Sequence, residues 1–258
     1  MPEFTSYATG VPCWVDVTSP ELDQSVEFYE GLFGWEAHVA EQPEAGGYTM
    51  FTLRDKYVAA ASPPQQEGMP SYWTTYLASD DVDATAAKIR DAGGTVFMDP
   101  FDVFDSGRMT VAQDPTGATF GVWQAGTHIG AQLANEHGTL SWNQCQTPDP
   151  ARATEFYVAV FGYEVDEMNL GGEQPFRVLK VGGKGVAGVR EPTSAGEPPH
   201  WSVVFAVDDA DAIVSRAKEL GGKVLLEPFD LPDIGRLAVL QDQGGAVFQV
   251  IKSFPPPG

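Results

Sequence analysis

The sequence predicts an α+β fold made of two copies of one module, each copy built from two β-α-β-β-β units. Three observations carry this. First, a long stretch repeats: Asp99-Pro-Phe-Asp…Gly107-Arg108…Gln113-Asp114-Pro-Thr-Gly117-Ala-Thr-Phe120 returns as Glu227-Pro-Phe-Asp…Gly235-Arg236…Gln241-Asp242-Gln-Gly-Gly245-Ala-Val-Phe248. Second, the offset of 128 residues holds along the whole chain: Trp14 maps to Trp142, Phe28-Tyr29 to Phe156-Tyr157, Trp73 to Trp201 and Gly93-Gly94 to Gly221-Gly222. Third, each copy alternates short β-rich runs with two helical patterns. A constant offset means equal loop lengths, and a period of this size is a domain duplication rather than a solenoid.

Each element follows from a local pattern. Residues 11–17 are β-rich and read as a strand. Ser19-Pro20-Glu21-Leu22-Asp23 opens a helix with acids in its first turn, matching the positive end of the helix dipole. Val26, Phe28, Tyr29, Leu32 and Phe33 recur at helical spacing as its buried stripe, and Gly34 ends it. Strands follow over 35–39, 48–53 and 57–61, with Lys56 in the turn between the last two. Residues 63–70 read as a linker by composition. After a strand over 71–78, Asp80-Asp81-Val82-Asp83 starts a second helix, with Val82, Ala86 and Ile89 inward and Gly93-Gly94 closing it. Strands over 95–98, 108–113 and 119–123 complete the module, and Asp114-Pro-Thr-Gly117 is a type I turn between the last two. The domains are therefore 8–125, a joining stretch over 126–137, and 138–254. The tail from Phe254 to Gly258 reads as disordered.

Composition narrows the class. The chain is 43% hydrophobic, enough for two cores, and its 36 acids against 15 bases give a formal charge of −21. That balance argues against nucleic acid and anionic membrane surfaces as partners. No apolar run approaches a membrane span, and the N-terminus lacks a secretory pattern, so a cytoplasmic location is expected. Cys13 and Cys145, which do not share a repeat position, suggest a reducing compartment without a disulfide framework.

Paired β-α-β-β-β units, with Ser25-Val-Glu-Phe28-Tyr29-Glu-Gly-Leu-Phe33-Gly34-Trp35, Asp80-Asp81-Val-Asp83-Ala and Asp114-Pro-Thr-Gly117-Ala-Thr-Phe recurring in both modules, resemble the vicinal oxygen chelate superfamily. That superfamily includes glyoxalase I, extradiol dioxygenases and bleomycin-resistance proteins. The closer likeness is to two-module, glyoxalase-like proteins of actinobacteria, often labelled hydroxylases. The resemblance implies that each pair of units curls into a half-barrel with the ligand in its concave face. It also implies metal ligands on the first, fifth and last strands of the metal-dependent members. Those positions depart from the pattern here. The last-strand glutamate falls on Gly121 and on Gln249, the fifth-strand histidine near Thr74 and Ser202, and the first-strand ligand around Pro12 or Trp14 and around Leu140 or Trp142. Of four histidines, His38 and His128 have no counterpart in the other module and read as surface or hydrogen-bonded residues. His137 lies in the joining stretch. His200, with Gln249 and Gln144, is the best improvised metal set. No metal or other cofactor is expected from these residues.

The candidate site residues follow from strand alternation, which puts Trp14 and Asp16 on one face. Asp16 interrupts an apolar strand, and burial would raise its pKa toward acid–base use; the matching residue in module two is Gln144. Asp16 or His200 is the catalytic candidate. Trp14, Tyr48, Trp73 and Trp123 in module one, and Trp142, Gln144, Phe176, Trp201, Ser202 and Gln249 in module two, are candidate substrate-binding residues for a flat, aromatic ligand. Arg108 and Arg236 are candidate anchors for a carboxylate or phenolate, or else bridges to Asp105 and Asp233.

The expectation is a metal-independent hydroxylase- or isomerase-type enzyme acting on an aromatic or polyketide-like compound. The alternative is a protein that binds and sequesters a small molecule, and a weaker one is a metal-dependent lyase or dioxygenase. A monomer or homodimer is expected. A titratable group at the pocket floor separates catalysis from binding.

Overall fold

The computed structural model describes residues 3–66, 68–169, 174–192 and 196–255; the end of the C-terminal tail lies outside them. Module one contains β1 (Pro12–Thr18), α1 (Leu22–Phe33), β2 (Glu36–Val39), β3 (Thr49–Leu53), β4 (Lys56–Ser62), β5 (Tyr72–Ala78), α2 (Val82–Asp91), β6 (Thr95–Val96), β7 (Phe101–Val103), β8 (Gly107–Gln113) and β9 (Thr119–Ala125). Module two contains β10 (Thr139–Gln146), α3 (Pro150–Phe161), β11 (Glu164–Met168), β12 (Phe176–Val181), β13 (Lys184–Arg190), β14 (His200–Ala206), α4 (Ala210–Glu219), β15 (Lys223–Leu231), β16 (Gly235–Gln241) and β17 (Val247–Ser253). Lys56 opens β4 rather than sitting in the turn before it; Arg54 and Asp55 take that turn, both at positive φ.

Each module is one mixed sheet. The strand order is β2-β3-β4-β1-β5-β9-β8-β6, with β7 beside β8, and β11-β12-β13-β10-β14-β17-β16-β15 in module two. The two units of a module meet where β1 pairs antiparallel with β5, and β10 with β14. Local chemistry sets the helix ends. The carboxylates of Asp81, Asp149 and Asp209 accept backbone N–H bonds at the starts of α2, α3 and α4. Gly34 and Gly162 close α1 and α3 in the left-handed conformation.

The modules interlock rather than hang on a linker. The helices cover one face of each sheet, and α1 of module one packs with α4 of module two while α2 packs with α3. One core joins Val15, Val17, Phe28, Tyr29 and Phe33 to Phe205, Leu240 and Phe248; a second joins Ile89 and Phe120 to Phe156, Tyr157 and Leu179. The repeated Gly-Gly pairs are explained by this contact. A Cβ on Gly94 would come within 2.8 Å of the Phe156 ring, and one on Gly222 within 2.8 Å of Phe28.

The repeated turn aspartates lock the same contact. Asp114 Oδ1 accepts the N–H groups of Thr116, Gly117 and Ala118, and its Oδ2 accepts Tyr157 O–H of the other module at 2.9 Å. Asp242 Oδ1 accepts Ala246 N–H, and its Oδ2 accepts Tyr29 O–H at 3.1 Å and Ser25 O–H at 3.4 Å. Each tyrosine oxygen in turn accepts an indole N–H, from Trp201 at 2.7 Å and from Trp73 at 2.9 Å.

Candidate functional site

The face of each sheet away from the helices is a cup. Along β1, Val15 and Val17 enter the intermodule core, so Trp14 and Asp16 face the cup. Along β5, Trp73 and Leu77 point into the cores and Thr74, Tyr76 and Ala78 into the cup. Cup one is thus a cluster of Trp14, Tyr76 and Trp123 with Tyr48, Met50 and Met109 packed around it.

Asp16 lies in the floor of this cluster and is 4% exposed. Its Oδ2 accepts O–H bonds from Tyr76 at 2.9 Å and Tyr48 at 3.2 Å, and Trp14 Nε1 donates to Tyr48 Oη at 3.0 Å. Burial pushes its pKa up from 3.8 to about 6, against the opposing pull of hydroxyl bonds from Tyr76, Thr74 and Tyr48. Burial also raises the phenol pKa values of Tyr48 and Tyr76, with the nearby Asp16 adding to the effect, so both phenols stay protonated as donors.

His128 belongs to the same cup. The stretch after β9 crosses the end of the sheet, with Ala131 N–H on the Cys13 carbonyl and Gln132 N–H on the Tyr57 carbonyl. This places the His128 imidazole edge-on to Trp14 at 4.6 Å, to Tyr57 at 5.6 Å and to Trp123 at 5.8 Å between ring centroids. Its Nε2 is buried without a hydrogen-bond partner, and burial lowers its pKa to about 4, so it is neutral at pH 7. The sequence reading of His128 as a surface or hydrogen-bonded residue is therefore corrected. No periodicity marks the crossing stretch, and only the glycines at 126 and 130 hint at a tight path.

Cup two is built at the same positions from different chemistry. Gln144, Ser202 and Gln249, each 4–7% exposed, form a neutral polar floor, with Gln249 Nε2 donating to Ser202 Oγ at 2.9 Å. Trp142 and Phe176 stand half-buried beside it, the Phe176 ring lying over Gly188, where a Cβ would come within 2.3 Å. Val204 stands where module one has Tyr76, and Ile251 where it has Trp123. His200 sits at the start of β14, with Nδ1 2.9 Å from the Pro198 carbonyl oxygen and Nε2 3.7 Å from Glu197, and is engaged with its own loop.

Four expected pocket residues lie elsewhere. Trp73 and Trp201 occupy the intermodule cores, because the helix-covered face of the sheet takes the odd members of β5 and β14. Arg108 clamps Asp83 (2.9 and 3.0 Å) and Asp102 (3.1 Å) on the surface, and Arg236 clamps Asp211 (2.6 and 2.9 Å) and Asp230 (2.9 Å). These are bridges to the second helix and the neighbouring strand, not to Asp105 and Asp233, and neither guanidinium is left to hold a ligand.

The ligand positions of metal-dependent relatives do not fit a divalent ion in cup one. Gly121 pairs directly with Tyr76, and a Cβ at Gly121 would lie 2.1 Å from that ring. The space for a last-strand carboxylate is filled by the tyrosine. Cup two offers two amides and a hydroxyl, already bonded in part to each other. Among the described residues, no three His, Cys, Asp or Glu side chains gather as a metal site.

These two sheets, each a pair of β-α-β-β-β units around a concave face, define a tandem module architecture. The model of the Glyoxalase/Bleomycin resistance protein/Dioxygenase superfamily matches residues 13–122 and 139–250, and the chain belongs to that superfamily. It is 47% identical over 259 residues to "Putative glyoxylase CFP32" of Mycobacterium tuberculosis, covering 99% of both chains. It is 43% identical over 263 residues to "Anthracycline biosynthesis protein DnrV" of Streptomyces peucetius, covering 96% of this chain and 95% of that one. Among solved structures, the Mn(II)-bound glyoxalase of Novosphingobium aromaticivorans is similar with a TM-score of 0.69 and 19% identity, covering 95% of this chain and 83% of that one. The 2,3-dioxygenase LapB of Pseudomonas sp. KL28 is similar with a TM-score of 0.69 and 15% identity, covering 98% and 96%. At these identities the likeness to both structures is one of fold. No helix among the described residues is long and apolar enough to cross a membrane.

Proposed function

We propose that the chain is a metal-independent, isomerase-type enzyme whose cup one takes an aromatic or polyketide-like compound. The observation that carries this is Asp16: a carboxylate at the cup floor, held by Tyr48 and Tyr76 in a module whose expected metal-ligand positions hold Thr74 and Gly121. With a pKa near 6 it is mostly ionised at pH 7 and accepts a proton readily, as a general base should. Asp16 takes a proton from carbon beside a ligand carbonyl and returns it, and the two phenols are the donors nearest the carboxylate as its charge changes. The name of the Streptomyces relative favours a polycyclic aromatic ligand, and Trp14, Tyr48 and Met109 offer a matching wall.

The test is proton exchange. Compounds with an enolisable carbonyl on an anthraquinone or tetralone ring are incubated with the protein in D2O, and loss of the ligand C–H signal is followed by NMR. Exchange that is catalysed by the wild type and lost in Asp16→Asn supports the reading. Ligands that bind and never exchange would favour the second reading, sequestration. The neutral floor of cup two, Gln144, Ser202 and Gln249, favours that second role for module two, because it can hold an uncharged ligand and has no group to move a proton.

A further inference from the structure

We infer that cup one recognises a ligand that carries a cationic nitrogen, an ammonium on an aromatic framework, which Asp16 and the surrounding rings would hold. This deepens the proposed function and rests on its placement of the ligand in cup one.

Asp16 is a buried carboxylate with no cation beside it among the described residues. The bases of module one lie elsewhere: Arg54 pairs with Glu136, Lys56 with Glu3, Arg90 with Asp99 and Arg108 with Asp83 and Asp102, and Lys88 is exposed in the last turn of α2, on the helix side of the sheet. The titratable side chains of the cluster are Tyr7 from the N-terminal segment, Cys13 from β1, Tyr48, Tyr76 from β5 and His128 from the crossing stretch. Burial raises the pKa values of the phenols and the thiol and lowers that of the imidazole, so none is a cation at pH 7. An anion held by Tyr48 and Tyr76, in a cluster that also contains Trp14 and Trp123, offers an ammonium both charge and aromatic rings.

Two independent observations point to a ligand rather than to packing. The fold does not need the charge, since module two fills the positions of Asp16, Tyr48, Tyr76 and Trp123 with Gln144, Phe176, Val204 and Ile251 and still closes its cup. And His128 brings into the same cluster a buried Nε2 with no partner, an acceptor suited to an N–H of the ligand in the matching tautomer. The overall charge of −21 adds a long-range pull on cations. An ammonium next to an enolisable carbonyl also acidifies the C–H that Asp16 would take, so the two roles of the carboxylate are compatible.

The experiment compares two probes of one shape, 2-(aminomethyl)anthraquinone, cationic from pH 5 to 8, and 2-(hydroxymethyl)anthraquinone, neutral throughout. Binding is read by quenching of tryptophan fluorescence in 0.5 M NaCl, which screens the general surface charge. The expected result is about tenfold or greater preference for the amine at pH 7.5. The preference should fall several-fold toward pH 5 as Asp16 protonates, and should vanish in Asp16→Asn. The wild-type pH series carries the test on its own if that variant does not fold. Equal affinity for the two probes, or a preference indifferent to pH and to Asp16→Asn, overturns the inference while leaving the placement of an aromatic ligand intact. Failure of both probes to bind overturns the placement and the inference together.

Discussion

Gly121→Ala is a one-methyl perturbation of the place where the family resemblance puts a last-strand metal ligand, and its cost can be worked from the contact it makes. The new Cβ would stand 2.1 Å from Tyr76 Cδ1 and 2.4 Å from Cε1, more than an ångström inside ordinary contact. Tyr76 is 9% exposed and anchored by its 2.9 Å bond to Asp16, so the ring cannot yield without giving up that bond. Overpacking of this kind costs about 1–3 kcal/mol, and a hydrogen bond to a carboxylate contributes about 1.5–3 kcal/mol. A loss of roughly 2.5–6 kcal/mol is expected in urea unfolding. The partner change is Tyr76→Val, the residue module two has at Val204. It leaves a cavity and costs about 3 kcal/mol on its own. With the ring gone, the close ring contacts that the Gly121→Ala methyl would meet are removed, so the double variant should lie close to Tyr76→Val alone and the cycle should give a coupling of about 2 kcal/mol or more. Gly121→Ala within about 0.5 kcal/mol of wild type, or an undiminished cost on the Tyr76→Val background, would refute the account of a tyrosine-filled ligand position.

Further outcomes follow from other contacts. Asp16 has a raised pKa, so the folded protein holds a proton between pH 3.8 and about 6 that the unfolded chain releases; the resulting stability is present at low pH and lost as pH rises through 6. Asp16→Asn should therefore gain about 2–3 kcal/mol relative to wild type on going from pH 4 to pH 8, measured by urea unfolding at both values. Tyr29→Phe and Tyr157→Phe each strip a donor from a buried carboxylate of the other module and should cost about 1–3 kcal/mol; because the cores are shared, both modules should still unfold in one transition, and two separate transitions would contradict the interlock. Arg108→Ala and Arg236→Ala touch only surface acids and should leave anthraquinone-probe affinity within about twofold of wild type. Protein incubated with Mn(II), Fe(II) or Zn(II) and desalted should retain less than about a tenth of an equivalent by elemental mass spectrometry, since among the described residues no three His, Cys, Asp or Glu side chains converge.

The duplication, the units and the element order were legible because a repeat at constant offset and helical spacing are properties of sequence alone. Which face of a strand meets which neighbour was only half legible. Alternation paired Trp14 with Asp16, and both face the cup. On β5 both faces are apolar, since one meets the helices and the other the cup, so parity gave no reason to send Trp73 to the core and Tyr76 to the cup. For Arg108 the sequence offered a ligand anchor or a bridge to Asp105, and it missed the true partners because Asp83 and Asp102 lie on α2 and β7 and converge only when the sheet is formed. His128 was hidden for a related reason: its burial comes from a strap without period, packed on rings that include Trp14 and Tyr57, far earlier in the chain.

A chain that contains its own homologue offers a way to separate scaffold from site. Trp14 and Trp142 are kept in the cups and Arg108 and Arg236 on the surface, whereas many residues kept in both modules, Trp73 and Trp201, Tyr29 and Tyr157, Asp114 and Asp242, and the paired glycines, lie at the contact between modules, where each copy must satisfy the other. Such positions change only together, because an altered tyrosine strands a carboxylate in the opposite module. The cups carry no such reciprocity. Each is lined by its own sheet, and there the copies differ: Asp16 against Gln144, Tyr76 against Val204, Gly121 against Gln249. Interlocking thus fixes the architecture while leaving two concave faces free to take different ligands. The likeness between the copies marks what holds the fold, and the differences mark where its chemistry should be sought.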